Sequence, residues 1–173
     1  SAPPPPTGDV YQFRFTSVRD GAGGMVSLSE IILYNRTGQQ VPIVQATNPN
    51  GTHSNPREGA SSIADGSTAT KWLDTSFNGE AILRLSLSVT VHIESYELVT
   101  SAGDNNANRK RDPTGWEFGI LRADGTFGVL SVVTGITPPH ERSASYGRFY
   151  SVYPPPPPAP PMVPPPLPRL PPS

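Results

Sequence analysis

Proline is spread so unevenly along this chain that it decides which residues are free to build a core. Of 23 prolines, four stand together at Pro3, Pro4, Pro5 and Pro6, and thirteen fall from Pro154 onward. Proline holds φ near −65° and has no backbone N–H, so neither block can enter a helix interior or a central strand. A run such as Pro154, Pro155, Pro156, Pro157 and Pro158 favours the polyproline II helix, a semi-rigid spacer that rises about 3.1 Å per residue. Only six prolines lie between residues 7 and 153. The chain therefore reads as a Pro-rich arm (1–8), one folding unit (9–153) and a polyproline II tail (154–173). The unit is long enough for a single domain with its own core.

Inside the unit the apolar period is two. In "VYQFRFTSV", Tyr11, Phe13 and Phe15 alternate with Gln12, Arg14 and Thr16. In "AILRLSLSV", Leu83, Leu85, Leu87 and Val89 alternate with Arg84, Ser86 and Ser88. Both patterns are those of half-buried strands. In "VTVHIESYELV" the phase slips between Ile93 and Tyr96, as one extra residue in a β-bulge near Ser95 would cause. "WEFGILRADGTFGVLSVV" predicts a hairpin turning at Asp124-Gly125, and "GRFYSVY" a last strand. Long polar loops separate these runs, and no stretch of 10–15 residues keeps a helical period. Many short strands with long loops predict a β-sandwich or jelly roll.

Charge and composition narrow the function. Net charge is −1, and the basic residues are scattered apart from Arg109, Lys110 and Arg111. A nucleic-acid binder would carry a basic stripe, so nucleic acid is not expected as a partner. No run approaches the ~18 apolar residues of a membrane span, and no signal peptide is visible. There is no cysteine, hence no disulfide and no thiolate metal site. Asn35 and Asn50 head the sequons "NRT" and "NGT" in turn-like stretches. Together with the proline blocks they point to a secreted glycoprotein. Metalloprotease, nucleophile-elbow, P-loop and dinucleotide motifs are all missing, so no enzyme activity is expected.

Three stretches, in order, carry a family resemblance: "VSLSEIILYN" (26–35), "ASSIADGSTATKWLD" (60–74) and "ESYELVTSAGDNNANRKRDPTGWEFGILRADGTFGVL" (94–130). Together they resemble the discoidin, or coagulation factor five/eight type C, domain, whose relatives include carbohydrate-binding modules. The resemblance runs from about Tyr11 to Tyr153. It implies an all-β fold: an antiparallel eight-stranded jelly-roll β-sandwich, here with extended polyproline II flanks. Two features depart from the pattern. The "LSEIILY" strand comes early instead of late, and the two cysteines of many animal members are missing. Their membrane-inserting aromatic loops have no match either, so membrane insertion is not expected.

Two kinds of site follow. Asp65, Ser67 and Thr70 crowd one loop, where carboxylate, hydroxyl and carbonyl oxygens suit a hard cation. The resemblance implies that Glu30 joins Asp65 and Thr70 around a structural calcium, with Ser67 where many relatives carry a second Asp. A glycan site needs an aromatic face and a few fixed polar groups. The candidates are His53, Asn55 and Arg57 on one loop, Phe77 on another, and Asn105, Asn108 and Arg109 on a third. Trp72 and Trp116 are expected in the core, and Arg111 is expected to pair with Asp112 beneath Trp116.

The proline blocks admit three uses: a docking peptide, a glycosylated stalk or a fibre element. "SAPPPP" and "VYPPPPPAPP" resemble the hydroxyproline-rich modules of plant and green-algal glycoproteins. That resemblance implies hydroxylation and O-glycosylation at Pro3, Pro4, Pro5 and Pro6, and at Pro154, Pro155, Pro156, Pro157 and Pro158. The sequence thus predicts a non-catalytic, structural or adhesive part of an extracellular matrix, cell wall or cell-surface fibre. Its expected partners are glycans, polysaccharide, copies of itself or other fibre subunits. The alternatives are a carbohydrate-binding module that targets an attached enzyme to polysaccharide and, more weakly, a proline-rich adaptor.

Overall fold

The computed structural model describes residues 8–20, 24–103 and 106–153. Every proline expected to be hydroxylated lies outside the described residues: Pro3, Pro4, Pro5 and Pro6 in the arm, and Pro154, Pro155, Pro156, Pro157 and Pro158 in the tail. The described residues form eleven short strands: β1 (Val10–Val18), β2 (Val26–Leu28), β3 (Glu30–Asn35), β4 (Gln40–Val41), β5 (Ile43–Thr47), β6 (Trp72–Asp74), β7 (Ala81–Leu87), β8 (Ile93–Val99), β9 (Pro113–Leu121), β10 (Phe127–Val133) and β11 (Ser145–Tyr150). Two 3-10 turns (Pro56–Glu58, Ala60–Ile63) and one short helix, α1 (Asn106–Lys110), sit in the loops. The main layers are a five-stranded sheet, β10-β9-β1-β7-β5, and a four-stranded sheet, β11-β8-β3-β4, and a β2-β6 ribbon lies beside them. All pairings are antiparallel. The fold is all-β, as expected, with more and shorter strands than eight.

The period-2 strands supply the core. Tyr11, Phe13 and Phe15 are fully buried on β1, as are Leu83, Leu85 and Leu87 on β7. Rings join the two sheets: Phe13 meets Tyr96 edge-on at 5.2 Å, and Trp116 meets Phe149 edge-on at 5.0 Å. Such geometries set the positive edge of one ring against the negative face of another. The indole N–H of Trp116 donates to the Tyr96 hydroxyl at 2.9 Å, so two buried polar atoms satisfy each other. Trp72 and Trp116 are both core residues. The bulge is real: Tyr34 faces Ser95 and Asn35 faces Ile93, leaving Glu94 unopposed and restoring Ile93 and Tyr96 to the inner face.

The ends of the sandwich differ. Residues 36–39 and 122–126 make tight turns at one end. The chain enters and leaves there too. Gly8 N–H donates to Leu87 O, Asp9 N–H to Val89 O, and the Tyr153 hydroxyl to Ile93 O. Residues 48–71, 75–80, 100–103, 106–112 and 134–144 gather at the opposite end, beyond Thr47, Asp74, Val99 and Val133. Asp112, fully buried, ties that end together. Arg142 grips it with two hydrogen bonds, at 2.8 and 2.6 Å, and Arg19 adds one at 3.0 Å. The expected Arg111–Asp112 pair is not formed, because two cations from other loops already fill the carboxylate. Arg111 donates to Asn108 Oδ1 instead, at 3.3 Å.

Candidate functional site

Glu30 opens β3 at the long-loop end and is only 6 % exposed. The loop after Ile63 folds back over it, turning at Gly66, whose φ of 75° favours glycine. Thr68 O fixes this loop by accepting from Ser29 Oγ at 3.1 Å and Ser143 Oγ at 2.9 Å. One backbone group then draws two carboxyls together: Ser67 N–H points at Glu30 Oε1, 3.0 Å away, and at Asp65 Oδ1, 2.9 Å away. The Thr70 hydroxyl lies 2.7 Å from Asp65 Oδ2. The four residues expected around a cation therefore converge, although Glu30 is far from the others in sequence.

Two carboxyls this close cannot both keep an uncompensated charge cheaply. Burial, reinforced by Asp65 as hydrogen-bond partner and neighbouring charge, pushes Glu30 up to about 7. Burial acts in the same direction at Asp65, but hydrogen bonds from Thr70, Ser67 N–H and Glu30 outweigh it and hold that carboxyl below its usual range. The donors are all oxygen and fit a hard cation, which would replace the proton Glu30 otherwise keeps. Among the described residues no group of three or more His, Asp or Glu side chains is placed to hold a metal. A cation here would rest on two carboxylates plus hydroxyl and carbonyl oxygens.

The glycan candidates separate. Asn55 and Arg57 line a cleft of about 400 Å³ together with Glu58, Lys71, Ala102 and Gly103. Asn55 Oδ1 accepts from Arg57 N–H at 3.0 Å and starts the first 3-10 turn. His53 is exposed on the same loop, but it does not line the cleft. Phe77 is a correction: it is 5 % exposed and packs in the core, so its ring offers no face to a sugar. Asn108 is 4 % exposed and works inside the loop. Its amide donates to the carbonyls of Ala102 and Gly103, and its oxygen accepts from Lys71 and Arg111. Arg109 turns toward His140 O and Asn106. Asn105 lies outside the described residues. Among the described residues no aromatic side chain lines the cleft.

The sequons sit at opposite ends. Asn35 Oδ1 accepts from the Thr37 and Gln39 backbones and from the Thr37 hydroxyl, so the tight turn uses the oxygen of its amide. Asn50 is exposed among the long loops, with a φ of 63°. Sequence reasoning missed Glu58 and Lys71, which form an ion pair of 3.4 Å in the cleft wall. It also missed the partners of Asp112, since only folding brings Arg19 and Arg142 to it. No helix among the described residues is long and apolar enough to cross a membrane. Comparison with family models, with curated proteins and with solved structures finds no match to this chain. The resemblance to discoidin domains thus rests on the motif residues themselves.

Proposed function

We propose that the protein is a non-catalytic module of a secreted glycoprotein, with a discoidin-like jelly roll mounted on glycosylated proline segments. It serves as a structural or adhesive part of an extracellular matrix, cell wall or cell-surface fibre. What supports the reading above all is the arrangement of the two ends: Gly8 and Tyr153, where the proline blocks join, are both tied to residues 87–93. The long polar loops project from the opposite end, where a binding surface on a rigid scaffold would be displayed. Calcium at Glu30, Asp65, Ser67 and Thr70 would hold these loops in shape. The proline segments set spacing and carry hydroxyproline-linked sugar, and Asn35 and Asn50 carry N-glycans.

Mass spectrometry of glycopeptides from native material tests this. Hydroxylated, pentose-bearing peptides covering Pro3–Pro6 or Pro154–Pro158 are the expected result. Unmodified peptides throughout would remove the glycoprotein reading. The cleft at Asn55 and Arg57 favours a second reading, a carbohydrate-binding module that holds an attached enzyme on polysaccharide. Retention of the monomeric chain on a glycan array, without self-association, would favour this second reading over a fibre subunit.

A further inference from the structure

The cleft beside Asn55 has an unusual balance of groups for a sugar site. Among the described residues no aromatic side chain lines it, so none of them offers ring stacking. It has cations instead. The backbone of Arg57 is fixed by Asn55 Oδ1 on its N–H and by Ser62 Oγ on its carbonyl, while its exposed guanidinium has no partner among the described residues. Lys71 Nζ lies 3.4 Å from both Glu58 Oε1 and Asn108 Oδ1. Arg111 reaches the same Asn108 oxygen and meets no carboxylate among the described residues. Asn108, nearly buried, thus gathers Lys71 in the cleft wall and Arg111 behind it, while Arg57 stands exposed among the lining residues. Among the described residues, Glu58 is the only acid lining it. Asp65 lies past Thr70 and is engaged there, and Asp104 is outside the described residues.

We infer that this cleft takes an anionic saccharide, a polysaccharide segment bearing carboxylates or sulfate esters. The inference rests on the glycan-binding reading above and names the class of sugar. A guanidinium matches a carboxylate or sulfate with two parallel hydrogen bonds, and such charge-assisted bonds are stronger than those to neutral hydroxyls. Asn55 and the cleft backbone remain for the hydroxyls of the sugar. The volume suits a small ligand or one segment of a chain.

The test is titration calorimetry of the full chain with four probes: a short oligogalacturonate, a sulfated galactan oligomer, a neutral galactan oligomer, and a single-stranded oligonucleotide of matched charge. Binding of one or both anionic sugars in preference to the other two is expected, and it should weaken severalfold as salt rises. Which of the two binds identifies carboxylate or sulfate as the recognised group. Arg57→Ala should lower affinity about tenfold at unchanged melting temperature, Arg57→Lys should lower it less, and Arg111→Ala should also weaken binding. Neutral sugar bound as well as the anionic ones would overturn the inference and leave the glycan reading standing. Equal binding of the oligonucleotide, or anionic binding untouched by both alanine variants, would also overturn the inference. No binding of any sugar would remove both readings.

Discussion

At the end where the chain enters and leaves, each turn closes on itself. Arg122 N–H donates to Thr126 O, and Asp124 Oδ1 accepts from Thr126 within the same loop. At the other end long-range contacts tie the loops to one another. Asp112 is held by Arg19 and Arg142 from two other segments, and Arg19 also donates to the carbonyls of Pro138 and Pro139. The difference teaches where specificity is stored. Tight turns are encoded locally and tolerate change, whereas the long loops also depend on side chains far away in sequence. A change at one such side chain therefore reaches several loops together.

That contrast can be broken most severely at Asp112. Asp112→Ala would strand two arginines at a buried position and should cost about 3–5 kcal/mol in urea denaturation. Asn108→Ala should cost less, about 1–3 kcal/mol, by leaving the carbonyls of Ala102 and Gly103 without their donor. A pH titration sharpens the comparison further. The Glu30 carboxyl is raised from 4.5 to about 7 in the fold, so between those values the folded chain holds more protons than the unfolded one. In chelator the melting temperature should therefore fall as pH rises from about 4.5 through 7. Asp65, being lowered, acts only at more acidic pH. Glu30→Gln should flatten this slope, and millimolar calcium should raise the melting temperature near pH 7 in the parent chain but not in the variant. Calcium without effect would remove the cation site. The smallest effect belongs to the tight-turn end. Asp124→Ala, in an exposed turn, should leave the denaturation midpoint close to that of the parent.

The sequence revealed what repeats along one strand. β1, β7 and the β9–β10 hairpin were legible because burial on one face forces alternation, and even the bulge at Glu94 left its mark as a slipped phase. β5 and β6 were not legible. β5 is largely exposed, and β6 is buried at all three positions, so neither alternates. Asp65, Ser67 and Thr70 were legible together on one loop, but Glu30 joined them only through a family pattern, since no local rule connects Glu30 to a loop 35 residues away. Phe77 was misread because an aromatic residue in a polar stretch looks exposed until the core closes over it. Arg111 was misread as the partner of Asp112 because adjacency in sequence says little about which cation reaches a buried carboxylate.

The shared anchorage of Gly8 and Tyr153 on residues 87–93 has a mechanical consequence. A pull between the arm and the tail would pass through Gly8–Leu87, Asp9–Val89 and Tyr153–Ile93, across one end of the sandwich. The cleft and the carboxyl pair stand outside that load path. A strand under tension could carry this domain as a pendant, keeping its loops in their relaxed geometry while the line itself is stretched.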